Sequence, residues 1–148
     1  MIPKCNLLLV GKDPNPRLIA EASKVDGISV TGKVPDVRVY IDQATLVIDP
    51  RFKPTGILNN VLQSMSMGKA VVTRHSALFA IDGTSHGTNI VCVSNENDFL
   101  SKISYLLQEP HERARIGKNA RDLILSRYTW ENIIPKYETM YRNAVRCS

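Results

Sequence analysis

Three polar residues recur at intervals of four: Thr55, Asn59 and Gln63. On a helix that spacing puts them on one flank. Ile57, Leu58, Val61, Leu62 and Met65 recur at spacings that fill the other face with apolar side chains. Thr55 is a helix cap by type, and Gly68 stands where a helix ends on a left-handed residue. The chemistry of such a flank is binding. The free N–H groups at a helix start attract an anion, most often a phosphate.

The elements that must hold this flank are legible on both sides. ATLVIDP before it is an apolar strand closing on Asp49 and Pro50, RFKPT is a loop, and KAVVT after it is a β-branched strand. Earlier, CNLLLV and GISVTG read as strands. Between them Pro16 opens a helix over RLIAEASK, and Asp36 caps a short helix over VRVYIDQ. HSALFAIDGTSHGT, residues 75–88, is loop-like, and NIVCV is a fifth strand. Three helices follow: ENDFLSKISYLLQ, a second opened by Pro110, and a third capped by Thr129 with Asn132. Strands alternating with helices imply parallel pairing, hence a Rossmann-like three-layer α/β/α domain with about five strands and a helical carboxyl end. ATLVIDP is expected beside KAVVT, and CNLLLV beside GISVTG. Ligands of such sheets lie at the carboxyl edge of the strands. That edge carries Gly11-Lys12, Gly32-Lys33-Val34-Pro35, Asp49-Pro50-Arg51 and Thr73-Arg74-His75. The same pattern also serves any strand–helix–strand unit without a ligand.

The 148 residues suit one domain, and 43% apolar with 22% charged content is ordinary for a globular chain. No apolar run is long enough to span a bilayer. MIPKCNLLLVGKDP does not read as a signal peptide, so a cytoplasmic location is expected. Cys5, Cys92 and Cys147 show no paired spacing, which argues against a disulfide framework or a metal site. Cys5 and Cys92 are expected as small buried hydrophobes. The net charge of +5 comes mostly from the last third, where nine Lys/Arg face five acids. A solvated helical face is the ordinary explanation, and an anionic membrane surface is the alternative partner. Nucleic acid is disfavoured, because no aromatic residues interleave with the charges.

Four stretches resemble one family. LLLVGKDPNPRL resembles its strand–Gly–Asn/Asp–Pro turn, and GISVTGKVPDVRVYIDQATLVIDP its strand–loop–tyrosine–strand–proline run. TGILNNVLQSMSMGKAVVTR resembles its central helix, and SRYTWE its closing tyrosine–x–tryptophan–glutamate. The chain is similar to the carboxyl-terminal, nucleotide-sugar donor-binding domain of GT-B fold glycosyltransferases, group 1 or family 4-like. The resemblance implies transfer of a sugar from a UDP-, GDP- or ADP-sugar to a glycan or lipid-linked acceptor, with no further cofactor. It implies that Lys33, Val34 and Pro35 touch the base, and that Gln63 faces the ribose. Gly56, Ile57 and the helix start would approach the phosphates, with Arg51, Thr55 and Asn59 around them.

The departures are specific. Gln63 stands where the family has Glu, Thr55 where another acid is common, Asn59-Asn60 where Asn-Lys is usual, and Ala70 where Pro follows Lys. A carboxamide can bond two hydroxyls but makes no charge-assisted bond. The family's preceding strand, glycine-rich loop and helix, with their diphosphate-gripping cations, are not matched, nor is the acceptor-binding half. No catalytic residue is therefore assigned. The gap in the sheet is expected to close by direct pairing of CNLLLV with ATLVIDP or by a second copy in a homodimer. The competing class is a non-catalytic nucleotide-binding or interaction module. A receiver-like domain fails, because KDPNP supplies only Asp13 where an acidic pair is needed.

Arg51 and Lys53 are candidates for part of the diphosphate grip, against the commoner solvated loop cation. Lys12 is similar. His75 is read as surface or structural, and His86 and His111 as surface. Trp130 and Tyr128 are expected as packing anchors for the last helix.

Overall fold

The computed structural model describes residues 5–51 and 58–146. They form two compact units, residues 1–44 and 45–148.

In the first unit, β1 (Leu7–Val10) pairs in parallel with β2 (Ile28–Gly32), with Leu8 opposite Ser29. α1 (Pro16–Ala22) connects them. It has Pro16 at its first turn, and the Asn15 side chain accepts the Arg17 N–H at 2.8 Å. Proline is favoured there because its missing N–H has no helical partner to lose. α2 (Arg38–Gln43) follows. The N-cap position falls on Val37 rather than the expected Asp36, but Asp36, one residue ahead, still accepts the Arg38 N–H with its Oδ1 at 2.9 Å. Its carboxylate also holds the Arg38 guanidinium, which lowers the Asp36 pKa. The sheet strands are only half covered, and Leu8 is 43% exposed. Cys5 is exposed as well, against its expected burial, because it precedes the strand rather than lying in it.

The second unit carries β3 (Val47–Asp49), β4 (Val71–Arg74) and β5 (Val91–Val93) as a parallel sheet in the order β3-β4-β5. The two expected strand pairs both form. The expected five strands are present, divided between a two-stranded and a three-stranded sheet. Alternation along the strands sends side chains to both faces. Val71 and Cys92 join one apolar cluster with Leu58, Val61 and Met65 and with Ala120 and Ile124. Val72, Val91 and Val93 join the other with Phe99, Leu106 and Ile116. The helices that supply these partners are α3 (Asn59–Ser66), α5 (Glu96–Gln108) and α6 (Pro110–Arg127). Helices on both faces of a parallel sheet make the three-layer arrangement. Residues 75–88, expected as loop, contain a single helical turn, α4 (Ala77–Ala80). Its Ala77 joins the first cluster, so core packing overrides a glycine-rich sequence.

The last helix, α7 (Trp130–Arg146), differs from expectation in its packing. Trp130 is 73% exposed and anchors nothing buried. Tyr128 does pack against the core, and its hydroxyl donates to the Asp82 carbonyl at 3.0 Å. Among the described residues no helix is long and apolar enough to cross a membrane.

Candidate functional site

The carboxyl edge of the three-stranded sheet is built from β3 outward. Asp49 ends β3 and lies opposite Thr73 of β4, both buried. A carboxylate at 8% exposure needs partners. Arg51, two residues on, supplies them: its Nε donates to Oδ1 at 2.8 Å and its Nη2 to Oδ2 at 2.7 Å. This two-pronged pair raises the Arg51 pKa. Arg51 is thus neither a solvated loop cation nor a free phosphate clamp. One face of its guanidinium is committed to Asp49, and the rest of the side chain is half exposed. The Asp49-Pro50-Arg51 spacing carried this signal, because residues two apart across a strand end can turn back on each other.

α3 follows. Its start differs from the sequence expectation, which opened it at Gly56. Leu58 has non-helical backbone angles, φ −82° and ψ 64°, and is itself a core side chain. Burying Leu58 there leaves Asn59 as the first helical residue. Thr55, Gly56 and Ile57 lie outside the described residues, as does Lys53. No side chain caps the helix start among the described residues. Val61, Ser64 and Met65 form the buried face, and Leu62 packs partly against the same core. Ser64, not expected inside, satisfies its hydroxyl on the Asn60 carbonyl at 2.7 Å. Asn59 is exposed and Gln63 half-buried, one turn apart on the flank away from that core.

The helix end is held firmly. Gly68 takes φ +72°, and its N–H donates to Met65 O at 2.9 Å while Lys69 N–H donates to Ser64 O at 3.1 Å. This closing turn leads directly into β4. Beyond β4, Arg74 lies over the Phe99 ring at 6.0 Å and donates to Ser94 O at 3.2 Å. His75 is exposed, with its ring centroid 6.3 Å from that of His86. His86 is exposed but not idle: its Nδ1 accepts the Cys92 N–H at 3.0 Å, tying the 84–90 loop to β5. Burial pushes the Cys92 thiol up to about 11. His111 is exposed. Among the described residues no three His, Cys, Asp or Glu side chains cluster as metal ligands.

On the first unit, Lys33, Val34 and Pro35 form the turn between β2 and α2. Lys33 and Pro35 are exposed and Val34 is half-buried. Gly32 enters the turn at φ +71°, a conformation that excludes most side chains.

Part of the basic surplus of the carboxyl-terminal third has a structural explanation. Arg113 donates to the carbonyls of Leu106 and Leu107 at the end of α5, and Arg121 to Ser66 O at the end of α3. Arg115 bonds Glu112 and also Gly87 O, and Arg127 pairs with Asp82. Cations that close helix ends need no acidic partner, so they accumulate as net charge.

Comparison with known proteins places this architecture. A chain of similar sequence is the lipopolysaccharide 1,2-N-acetylglucosaminetransferase of Salmonella typhimurium. It is 27% identical over 122 residues, covering 80% of this chain and 32% of that protein. Among solved structures, Anabaena HepE in complex with UDP superposes with a TM-score of 0.81 at 17% identity, covering 95% of this chain and 42% of that one. Sucrose-phosphate synthase from Thermosynechococcus elongatus gives 0.80 at 23% identity, over 99% of this chain and 40% of that one. This chain therefore spans under half the length of each. The fold is that of the carboxyl-terminal domain of GT-B glycosyltransferases. The family model for glycosyl transferases group 1 matches residues 2–109, and the chain belongs to that family.

Proposed function

We propose that this chain holds the nucleoside-diphosphate sugar for a glycosyltransferase that extends a glycan or a lipid-linked saccharide. The observation that carries the reading is the family match over residues 2–109, joined to an α3 whose polar flank opens at the carboxyl edge. Its first amides suit a phosphate oxygen, and Asn59 and Gln63 suit sugar hydroxyls. The exposed half of Arg51 adds positive charge nearby, with Asp49 fixing its position. Taken by itself, the Lys33-Val34-Pro35 turn of the first unit carries the backbone groups that the family resemblance assigns to a base. Thr55, Gly56 and Ile57 complete the proposed phosphate-binding set.

UDP is the first donor to test, since HepE binds UDP and UDP-glucose in its solved complexes. The Salmonella relative acts on lipopolysaccharide, which favours a lipid-linked acceptor and a setting at the cytoplasmic membrane surface. No residue of this chain is given a catalytic role. Acceptor recognition and the catalytic groups are assigned to a separate portion of the enzyme. The competing reading, a binding module without chemistry, draws on Gln63 standing where the family has an acid. Titration with UDP-, GDP- and ADP-sugars tests both. Saturable binding at millimolar concentration or tighter is expected for one nucleotide. Failure of all three overturns the donor reading.

A further inference from the structure

The last strand in the order β3-β4-β5 is β5, so its far side has no strand partner among the described residues. Residues 84–90 lie against it. His86 bridges to Ile90, and Gly87 N–H donates to Ile90 O at 2.8 Å. The Cys92 N–H is met there by a side chain, His86 Nδ1, at 3.0 Å. A backbone N–H can only donate, so Nδ1 must hold a lone pair. The ring is then neutral, with its hydrogen on Nε2. Cys92 is 1% exposed, so its amide depends on that acceptor while the loop is in place.

The other ties of the loop do not titrate near neutrality. Ser85 N–H donates to Asn89 Oδ1, Asn89 Nδ2 to Gly83 O and Asn119 Nδ2 to Thr88 O. Arg115 Nη2 donates to Gly87 O at 2.6 Å and is held by Glu112. That guanidinium keeps the Glu112 carboxyl below its usual range, so the carboxylate stays ionised. Histidine is the side-chain type whose charge ordinarily changes between about pH 5 and 8.

We propose that His86 is a pH-sensitive latch, in which a proton on Nδ1 releases residues 84–90 from the edge of β5. The imidazolium turns the acceptor into a donor and sets two N–H groups head to head. The Cys92 amide regains a partner only when the loop moves aside and admits water. The charged and titratable groups around the ring are His75 after β4, Cys92 of β5, Lys102 and Tyr105 of α5, and Glu112 and Arg115 of α6. Glu112 is already taken by Arg115, and Lys102 is a cation, so none of these groups offers the imidazolium an uncommitted carboxylate. His75, its ring centroid 6.3 Å away, adds a like charge once it is protonated too.

The test uses the 148-residue chain and follows amide hydrogen exchange as protection factors, which divide out the pH dependence of the exchange chemistry. From about pH 7.5 to about pH 5 the Cys92 protection factor is expected to fall about ten-fold or more, while Val71, Val72 and Thr73 of β4 keep theirs. Nitrogen NMR of the His86 ring is expected to show the hydrogen on Nε2 at the higher pH. His86→Asn puts a non-titrating acceptor, Oδ1, on the same Cγ and is expected to abolish the fall. His75→Gln is expected to retain it. His86→Ala is expected to lower Cys92 protection at both pH values. A hydrogen on Nδ1 at the higher pH, an unchanged Cys92 protection factor, or the same fall in His86→Asn overturns the inference. A matching fall at Val72 reports global unfolding in place of a local latch, and overturns it as well.

Discussion

In the proposed donor site, Gln63 is the residue on which affinity is expected to turn. Its half-buried place on the α3 flank suits a hydroxyl partner, yet its amide makes only neutral hydrogen bonds. Gln63→Glu is expected to tighten nucleotide binding by about 1 kcal/mol, because charge-assisted bonds are the stronger kind. Calorimetry of the variant checks this, and an unchanged or weaker affinity would remove Gln63 from the ribose. Asp49 poses the opposite problem, a buried charge that needs its neighbour. Arg51→Met strips both bonds from the carboxylate and is expected to lower stability by about 2 kcal/mol, read as a shift in the urea midpoint. Cys92 gives a pH signature. Its thiol moves from 9.0 to about 11 through burial, so the folded chain keeps that proton where the unfolded chain gives it up. The stability it contributes is full below about pH 9 and falls as pH rises toward 11. Cys92→Ala should flatten that slope in urea titrations. The same thiol should resist alkylation until the chain unfolds, while exposed Cys5 reacts at once. Spacing alone marked the Asn59–Gln63 flank, because helical period is a local property. It did not mark the exposure of Cys5 or the bond at His86, since both depend on what other segments leave uncovered.

At the scale of elements, α6 is the fastener of the second unit. Arg113 closes the end of α5, Arg121 closes the end of α3, and Gly117 lets α6 lie directly on the turn at Gly68. A Cβ on Gly117 would sit 2.0 Å from the Gly68 carbonyl oxygen and 2.9 Å from its carbon. Both are backbone atoms, so the helix and the turn would have to separate. Gly117→Ala should gain about 1 kcal/mol of helix propensity and lose about 3 kcal/mol to overpacking. The expected outcome is a clear drop in melting temperature, with Gly117→Val worse. A variant as stable as wild type would mean that this contact is looser than the distances say. The sequence showed α6 as a helix and its cations as a charged face. It did not show where those cations end, because carbonyl partners leave no charge to count. α7 makes the same point. Its Trp130, Ile134, Tyr137, Tyr141 and Val145 share one apolar stripe by helical spacing, and all are exposed. An amphipathic period states that a helix can bury a face, and the packing around it decides whether it does.

For the whole molecule, the distribution of buried apolar residues is uneven. Among the described residues, every buried hydrophobic side chain apart from Ala22 and Ile41 belongs to residues 45–148. The two apolar clusters, one on each face of the β3-β4-β5 sheet, are drawn wholly from that unit. Residues 5–44 offer a pair of strands and two short helices with little sealed from water. A two-stranded sheet of that kind has marginal stability by itself. CNLLLV is the more apolar of the two as text, yet Leu7–Val10 is only partly covered while Ala70–Thr73 is buried, so apolarity in the sequence reported capacity to pack and not the packing achieved. Two thermal behaviours follow. A chain restricted to residues 45–148 should fold cooperatively, with a melting temperature within a few degrees of the full chain. A chain restricted to residues 1–44 should show no cooperative transition. Limited proteolysis of the full chain should then cut first among residues 5–44 and leave a resistant carboxyl-terminal fragment. Equal resistance across the chain, or loss of the transition in the 45–148 fragment, would show that the first unit supplies stability its own burial does not reveal.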